Sequence, residues 1–515
     1  MARWYWLAGV AGFLTIGADY QPSSCVFSVG LDDCSRFPGK GCGTGGGASS
    51  STGTMTSTGG SGGSPDGCDP SKTSNAVADG CGVFVSPSGD DGNAGMKETP
   101  LKTVKAALAK GTRIYACAGV TPFNEAVKIG KATTLYGALD CASWVYDASK
   151  KTQLTAKADA VPLTFGSGGS ASEVNDFAIT AAGATAAGGS SIAVLVSGGI
   201  ASFARCDLAA GDGKDGLVGA SGGAQATQAA PGLAGNDASN ATQGGGDGGV
   251  NATCSLGGGK GGSGGVIANG SGGDGLPGDG GNGGPAGVGD MGAGCGGPNP
   301  NGSNGTTPGF GPGASGIGSL DASGYHGGDG QPGTDGTNGK SGGGGGGSKA
   351  SNTVHGAGGG GGGAGGCGGK LGTGGKAGGS SIALVSVAAT VTMTSCTLKS
   401  GKGASGGAGG DGQFGQPGGA AGLGGVGGTI SDGCNGGKGG KGGDGGNGGG
   451  GLGGHSLGIA VTGTAPVLDA ATTNAITPGL NGSGGKGGNM DASVNHGADG
   501  MAAGCWDFSS KVACK

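Results

Sequence analysis

Residues 188–208 read GGSSIAVLVSGGIASFARCDL, and residues 378–398 read GGSSIALVSVAATVTMTSCTL. The second copy follows the first at an offset of 190 (378 − 188 = 190) with no internal gap, and Cys206 and Cys396 fall in register. Each copy carries an aliphatic run and then passes into glycine, at Gly211-Asp212-Gly213 and at Gly401-Lys402-Gly403. A repeated strand-forming unit implies stacked units of one kind. A degenerate third copy begins at 453 with GGHSLGIAV, and Ala475-Ile476-Thr477-Pro478 again leads into glycine. On this reading Ile192 and Ile382, and Val194 and Leu384, point into one shared stack.

Upstream, short β-type runs follow one another closely at 113–117, 126–129, 133–137, 152–155, 161–165, 174–180, 191–197 and 201–208. Alternation in Ala126-Val127-Lys128-Ile129 and Phe203-Ala204-Arg205-Cys206-Asp207-Leu208 is that of strands with one buried face. One amphipathic helix is expected at 100–110, with Leu101, Val104, Ala107 and Leu108 opposite Lys102, Lys105 and Lys110. Inserts of over a hundred residues between consecutive strands favour parallel stacked units over a barrel or sandwich, because each unit contacts only its neighbours.

Glycine supplies 145 of the 515 residues, against roughly 7% in ordinary proteins. Its period is three: it recurs at 403, 406, 409, 412, 415 and 418, and at 327, 330, 333, 336, 339 and 342. Residues 436–446 are a strict Gly-Gly-X run, GGKGGKGGDGG. That period matches an extended left-handed helix with three residues per turn and no internal hydrogen bonds. Two faces of such a helix are bare backbone, so neighbours can approach and bond N–H to C=O. Ordering glycine costs the most backbone entropy, so the alternative to a packed polyglycine bundle is largely disordered loops. A collagen triple helix is excluded by the small number of triplets.

The N-terminus resembles a secretory signal over 1–18, with one positive charge, a short apolar core and a small-residue cleavage site at Ile16-Gly17-Ala18. Its apolar run is too short to span a bilayer, which takes about 20 residues. A lipid anchor at Cys25 lacks the expected apolar residue three positions earlier. Residues 19–80 read as a tether, flexible and Gly/Ser/Thr-rich between 43 and 67. Fifteen cysteines without a CxxC ladder favour disulfides and export over zinc. Cys505–Cys514 is the first disulfide candidate, followed by Cys68–Cys81 and Cys117–Cys141; full connectivity is not legible. The near-neutral balance, a net charge of −5, argues against nucleic acid as a partner, which would want a clustered basic face.

Residues 84–125, FVSPSGDDGNAGMKETPLKTVKAALAKGTRIYACAGVTPFNE, resemble the opening of right-handed parallel β-helix domains of the pectate-lyase kind. They carry a Val-Ser strand, a Gly-Asp-x-x-Asn-x-Gly turn, and a Pro-x-x-Thr-x-x-x-Ala helix. The resemblance implies that this segment caps the fold and that the next strands form its first turns. The glycine tracts, with SSIAVLVS and GGHSLGIAVTG, resemble the glycine-rich PGRS-type surface proteins of myxobacteria. The expected fold is therefore all-β: a right-handed parallel β-helix with one capping helix, interrupted by polyglycine-II-like or disordered insertions. The β-helix occupies 81–210, 378–400 and 453–478, the insertions 211–377 and 401–452, and the glycine-rich tail 479–515.

Candidate chemistry is sparse. Residues 269–276 match a calcium nonapeptide around Asp274, but a β-roll needs tandem copies and this one is isolated. A glycan-cleaving site would draw on Asp140, Asp147, Glu173, Asp176, Arg205 and Asp207, whose ordinary reading is solvated surface charge. His326, His355, His455 and His496 lie at no metal-ligand spacing and read as exposed. No Gly-x-Gly-x-x-Gly string joins a strand to a helix, so no nucleotide site is supported. We expect no catalytic, cofactor-binding or metal residue and no cofactor. The expected function is a secreted or cell-surface structural or adhesive protein, with extracellular glycans or other surface proteins as partners and no transmembrane span. A glycan-binding or glycan-cleaving β-helix is the alternative. Ice binding, resting on Thr392-x-Thr394 and flat polyglycine, is a third class.

Overall fold

The computed structural model describes residues 65–166, 171–239, 241, 243–490 and 494–514. The signal and lipid-anchor readings at 1–18 and Cys25, and the tether up to residue 64, lie outside the described residues.

The short strands sort into three sheets. The first holds, in spatial order, Val83–Val85, Arg113–Cys117, Thr134–Leu139, Ala171–Asn175, Ile200–Ala204, Thr390–Thr394 and Val467–Leu468. The second holds Val127–Ile129, Leu163–Phe165, Ser191–Ser197, Ser381–Val387, Ser456–Thr462 and Ala502–Asp507, closed by the antiparallel Val512–Ala513. The third holds Phe123–Asn124, Thr152–Thr155, Phe177–Ala181, Asp207–Ala210, Thr397–Lys399 and Ile476–Thr477. Apart from that closing pair, neighbours within these sheets are parallel. From Phe123 onward the chain passes through the third, second and first sheets in turn and begins again. The protein is thus mostly β, with parallel sheets and no barrel. Leu135, Val174, Phe203 and Met393 from the first sheet meet Leu154, Ile179, Leu208 and Leu398 from the third and Val194, Leu384 and Ile459 from the second in one buried cluster. Each such side chain contributes roughly 1.5–3 kcal/mol by leaving water.

The repeat pairs residue for residue: Ile192 with Ile382 and Val194 with Leu384. They do not share a stack. Val194 and Leu384 face the interior with Ile459, whereas Ile192 and Ile382 face outward with Leu457 under a hairpin, Ser319–Asp321 with Gly324–His326. Leu320 and Tyr325 of that hairpin cover the second sheet's outer face. A strand covered on both sides is apolar on both sides, which hides the alternation.

Other boundaries shift for local reasons. The expected strand 174–180 is two strands, broken where Asp176 takes φ 63°; Arg205 and Ser395 turn the same corner at φ 54°. The helix is shorter than expected, Val104–Lys110: Thr103 caps it, and the Glu125 carboxylate accepts the N–H groups of Val104 (2.7 Å) and Lys105 (3.1 Å). A second short α-helix, Ala470–Asn474, stands between the strands of the third repeat, so the described residues hold two α-helices where one was expected. Residues 65–80 are not tether: Cys68 and Val77 are buried against Phe84, Tyr115 and Trp144. The glycine-rich tail supplies a further strand, Ala502–Asp507, to the second sheet.

Three glycine excursions leave the third sheet after Asp207–Ala210, Thr397–Lys399 and Ile476–Thr477, and return to the second. They contain neither long helix nor long strand, yet they are cross-linked by backbone hydrogen bonds at every third residue. Gly213, Gly216, Gly219 and Gly222 donate to Lys402, Ser405, Ala408 and Asp411 at 2.8–2.9 Å, and Gly366, Gly369, Gly372 and Gly375 donate to Gly440, Gly443, Gly446 and Gly449 at 2.9 Å. Of the two readings, the structure contains the packed bundle.

Three segments, 328–350, 355–379 and 433–456, lie at its centre. The last is bonded to six neighbours: 401–425, 355–379, 328–346, 300–314, 479–488 and 495–501. Glycine content follows this map. Within 342–347 every residue is glycine, and a Cβ on any of them would lie 2.0–2.2 Å from a neighbour's carbonyl oxygen. Within 436–446, Gly436, Gly439 and Gly442 face 361–367 and Gly437, Gly440 and Gly443 face 300–306, while the third row is Lys438, Lys441 and Asp444. The number of glycines per triplet reports the number of close neighbours.

Candidate functional surface

The acid and base candidates are located and largely paired. Asp176, buried at the corner before Phe177, receives Arg205 Nε on Oδ1 and Nη2 on Oδ2, both at 2.7 Å, and the Tyr146 hydroxyl on Oδ1 at 3.0 Å. The bond to Asp176 holds Arg205 still more firmly protonated, and burial, then the Asp176 charge, raises the Tyr146 pKa. The group staples one left-handed corner to the next. Asp207 pairs with Lys151 (2.6 Å) and accepts from Thr397 Oγ1 (2.5 Å). Asp140 and Asp147 share Lys150 at 3.5 and 3.4 Å. Hydrogen bonds from Ser143 and Ala142 hold Asp140 down to about 2, so it stays ionised and is no proton donor near neutrality. Glu173 stands on the first sheet in register with Thr134 and Ser202. A shallow cleft lined by Gly119, Val120, Asp140, Lys150, Lys151 and Gln153 adjoins the paired charges.

The histidine expectation is half corrected. His326 and His496 are exposed, but His355 and His455 are buried. His455 Nδ1 accepts the Met501 N–H (2.9 Å), which leaves Nε2 to donate to the Ile317 carbonyl (2.8 Å). This neutral tautomer ties the first excursion to the tail, and burial lowers the His455 pKa. Its packing beside Tyr325, visible only in three dimensions, hides it from spacing arguments. Asp274 of the calcium-like nonapeptide accepts the Gly289 N–H at 2.7 Å. Among the described residues no three His, Cys, Asp or Glu side chains are grouped to hold a metal.

Cysteine pairing is Cys68–Cys81, Cys117–Cys141 and Cys505–Cys514, with two long-range bonds, Cys254–Cys367 and Cys295–Cys434, across the bundle. Cys206 and Cys396 are free, buried and in contact, the Cys206 N–H donating to Cys396 Sγ at 3.3 Å. The five disulfides among the described residues fit folding in an oxidising compartment. Among the described residues no helix is long and apolar enough to cross a membrane.

A continuous exposed face runs from the third sheet into the bundle. The third sheet's strands at 207–210, 397–399 and 476–477 run directly into the segments 211–222, 401–427 and 479–488, which remain neighbours through backbone bonds. Side chains keep the register: Asp212 Oδ1 accepts the Lys402 N–H, Asp215 that of Ser405, and Asp411 that of Asn489. From Thr397 to Val426 the face runs about 90 Å at roughly 3.1 Å per residue. Its middle row contains no glycine: Lys402, Ser405, Ala408, Asp411, Phe414, Pro417, Ala420, Leu423 and Val426. Phe414, Leu423 and Val426 are all exposed. The 190-residue offset continues well past the aliphatic repeat: Gln225 Nε2 donates to the Gly415 carbonyl and Gln228 Nε2 to that of Gly418. The signal for this face in the sequence is that the glycine tracts starting at Gly211 and Gly401 keep the same offset.

Comparison with known protein families, curated proteins and solved structures finds no match.

Proposed function

We propose that this chain is a non-catalytic structural or adhesive protein, secreted or displayed on a bacterial surface, of the PGRS-like kind. The finer architecture we infer is a right-handed parallel β-helix whose excursions form a polyglycine-II-like bundle. The observation that carries the reading is the continuous face, which merges a parallel sheet with the bundle and presents regularly spaced side chains along its length. Cross-linking by Cys254–Cys367 and Cys295–Cys434 suits a part that must keep its shape outside the cell. The pairing of Asp176 with Arg205 and of Asp207 with Lys151 supports a structural use of the charges that a glycan-cleaving site would need. Two measurements test the proposal. Protease shaving of intact cells should release fragments of this chain, and purified protein should leave acidic and neutral glycans uncleaved. Turnover of any of them, or a chain confined to the cytoplasm, overturns it.

A further inference from the structure

One row of the bundle breaks its own rule. Segment 401–427 aims the N–H groups of Gly403, Gly406 and Gly409 at carbonyls of Leu480, Ser483 and Lys486 in the neighbouring segment. That neighbour stops pairing at Gly488, opposite Gly448, and among the described residues no segment takes its place beyond. There side chains from residues 432–447 take over, in antiparallel steps of three. Asn447 Oδ1 accepts the Gly412 N–H (2.7 Å) and Asp444 Oδ1 that of Gly415 (2.8 Å); further on, Asn435 Oδ1 accepts that of Gly424 (2.8 Å), and Asp432 accepts that of Gly427 (2.6 Å).

The two intervening steps place Gly418 opposite Lys441 and Ala421 opposite Lys438. Lysine has no acceptor, and the N–H groups of Gly418 and Ala421 have no partner among the described residues. Both residues are partly open to solvent. Lys441 is shared with Asp444 at 2.7 Å, and no described carboxylate pairs with Lys438. The lysine backbone N–H groups are taken by Asn301 and Asn304 on the far side, at 2.8 and 2.9 Å. Two unpartnered backbone donors therefore lie in register with two lysines where the ladder demands acceptors.

We propose that this groove binds a linear acidic polysaccharide, seating one oxyanion at Gly418–Lys441 and the next at Ala421–Lys438. Each anion would complete the ladder as the Asp444 carboxylate and the Asn435 amide do on either side, with a backbone N–H and an ammonium as donors. The two positions are about 9 Å apart, three residues at roughly 3.1 Å each. A glycan with one acid group per disaccharide repeats its charge on that scale. Duplex nucleic acid is far denser, at one charge per ~1.7 Å, and the chain's net charge of −5 disfavours it. On the adjoining outward row Ala420 is exposed and Pro417 partly so. The inference rests on the surface-adhesive reading and names its partner.

The test compares the full chain with the double variant Lys438→Asn/Lys441→Asn, which supplies the missing acceptors. By calorimetry, hyaluronate, which carries one carboxylate per disaccharide, should bind the parent, weaken with added salt, and lose at least tenfold in the variant, while the variant's Tm is unchanged or higher. Equal binding by both proteins, or no binding by the parent, overturns the site. A fall in the variant's Tm overturns the register argument. Sulfate ion binding as tightly as the polymer, or an oligonucleotide binding more tightly, overturns the assignment to a paired glycan site. Failure of this binding with the chain still exposed on cells removes the groove alone; glycan turnover would remove the adhesive reading instead.

Discussion

The three-sheet body and the glycine bundle solve one problem in opposite ways. Both must satisfy nearly every backbone N–H and C=O that they bury. In the body, sheet ladders do this while Leu135, Val174, Phe203 and Ile179 leave water, so hydrogen bonding and hydrophobic burial come together. In the bundle, side chains contribute little to the interior: 342–347 is glycine throughout, and only close approach of bare backbone lets each segment bond to its neighbours. The bundle therefore has less apolar burial to set against the entropy cost of ordering glycine. It is where the two disulfides with the longest loops sit, closing 113 and 139 residues. The long-range cross-links go where apolar burial is scarce, whereas the short ones at Cys68–Cys81 and Cys117–Cys141 sit in an apolar cluster.

That contrast can be broken from either side. The largest effect is expected for Ile382→Asp, which places an unpaired charge in a fully buried site between the second sheet and the covering hairpin. It should cost more than about 4 kcal/mol, read as a collapse of the thermal transition; a variant that melts like the parent would refute the covered-face assignment. Next, reduction of Cys254–Cys367 should remove about 5 kcal/mol by the chain-entropy relation, against roughly 2.6 for the nine-residue Cys505–Cys514 loop. Hydrogen exchange should then accelerate in 355–379 before it does in Ser191–Ser197. Uniform acceleration would mean that body and bundle unfold as one unit.

A smaller loss, about 3 kcal/mol, is expected for Gly345→Ala, whose Cβ would lie 2.1 Å from the Cys434 carbonyl oxygen. Ala420→Gly, on the outward row, should change stability by less than about 1 kcal/mol; equal effects would void the link between glycine content and neighbours. The smallest effect is the pH dependence at His455. Its folded pKa lies below the ordinary 6.5, so its contribution is complete above that value and is lost as pH falls through the depressed one. His455→Gln should flatten the acid side of a Tm-against-pH curve measured between 7 and 5.

Legibility in the sequence followed the range of each interaction. The strands at 191–197 and 381–387 and their register were readable because aliphatic runs and small-residue edges are local signals. The splitting of Ile192 from Val194 was not, because both faces of that strand are covered and only the hairpin at 319–326 decides which residue meets which layer. The Tyr146–Asp176–Arg205 staple joins residues 29 and 30 apart through a corner that no motif marks. The burial of His455 depends on residues 46 and 138 positions away.

By itself the sequence determined the repeat, the three-residue glycine period and the rows on which side chains can stand, since each arises from the stereochemistry of neighbouring residues. Tertiary structure alone decided which row meets which. A glycine lacks the Cβ that would favour one partner over another, so a period of three permits packing without choosing it. The choice comes from where strands enter and leave the three sheets and from the disulfides. Those entry points end one segment at Gly488 and leave Lys438 and Lys441 facing an open groove.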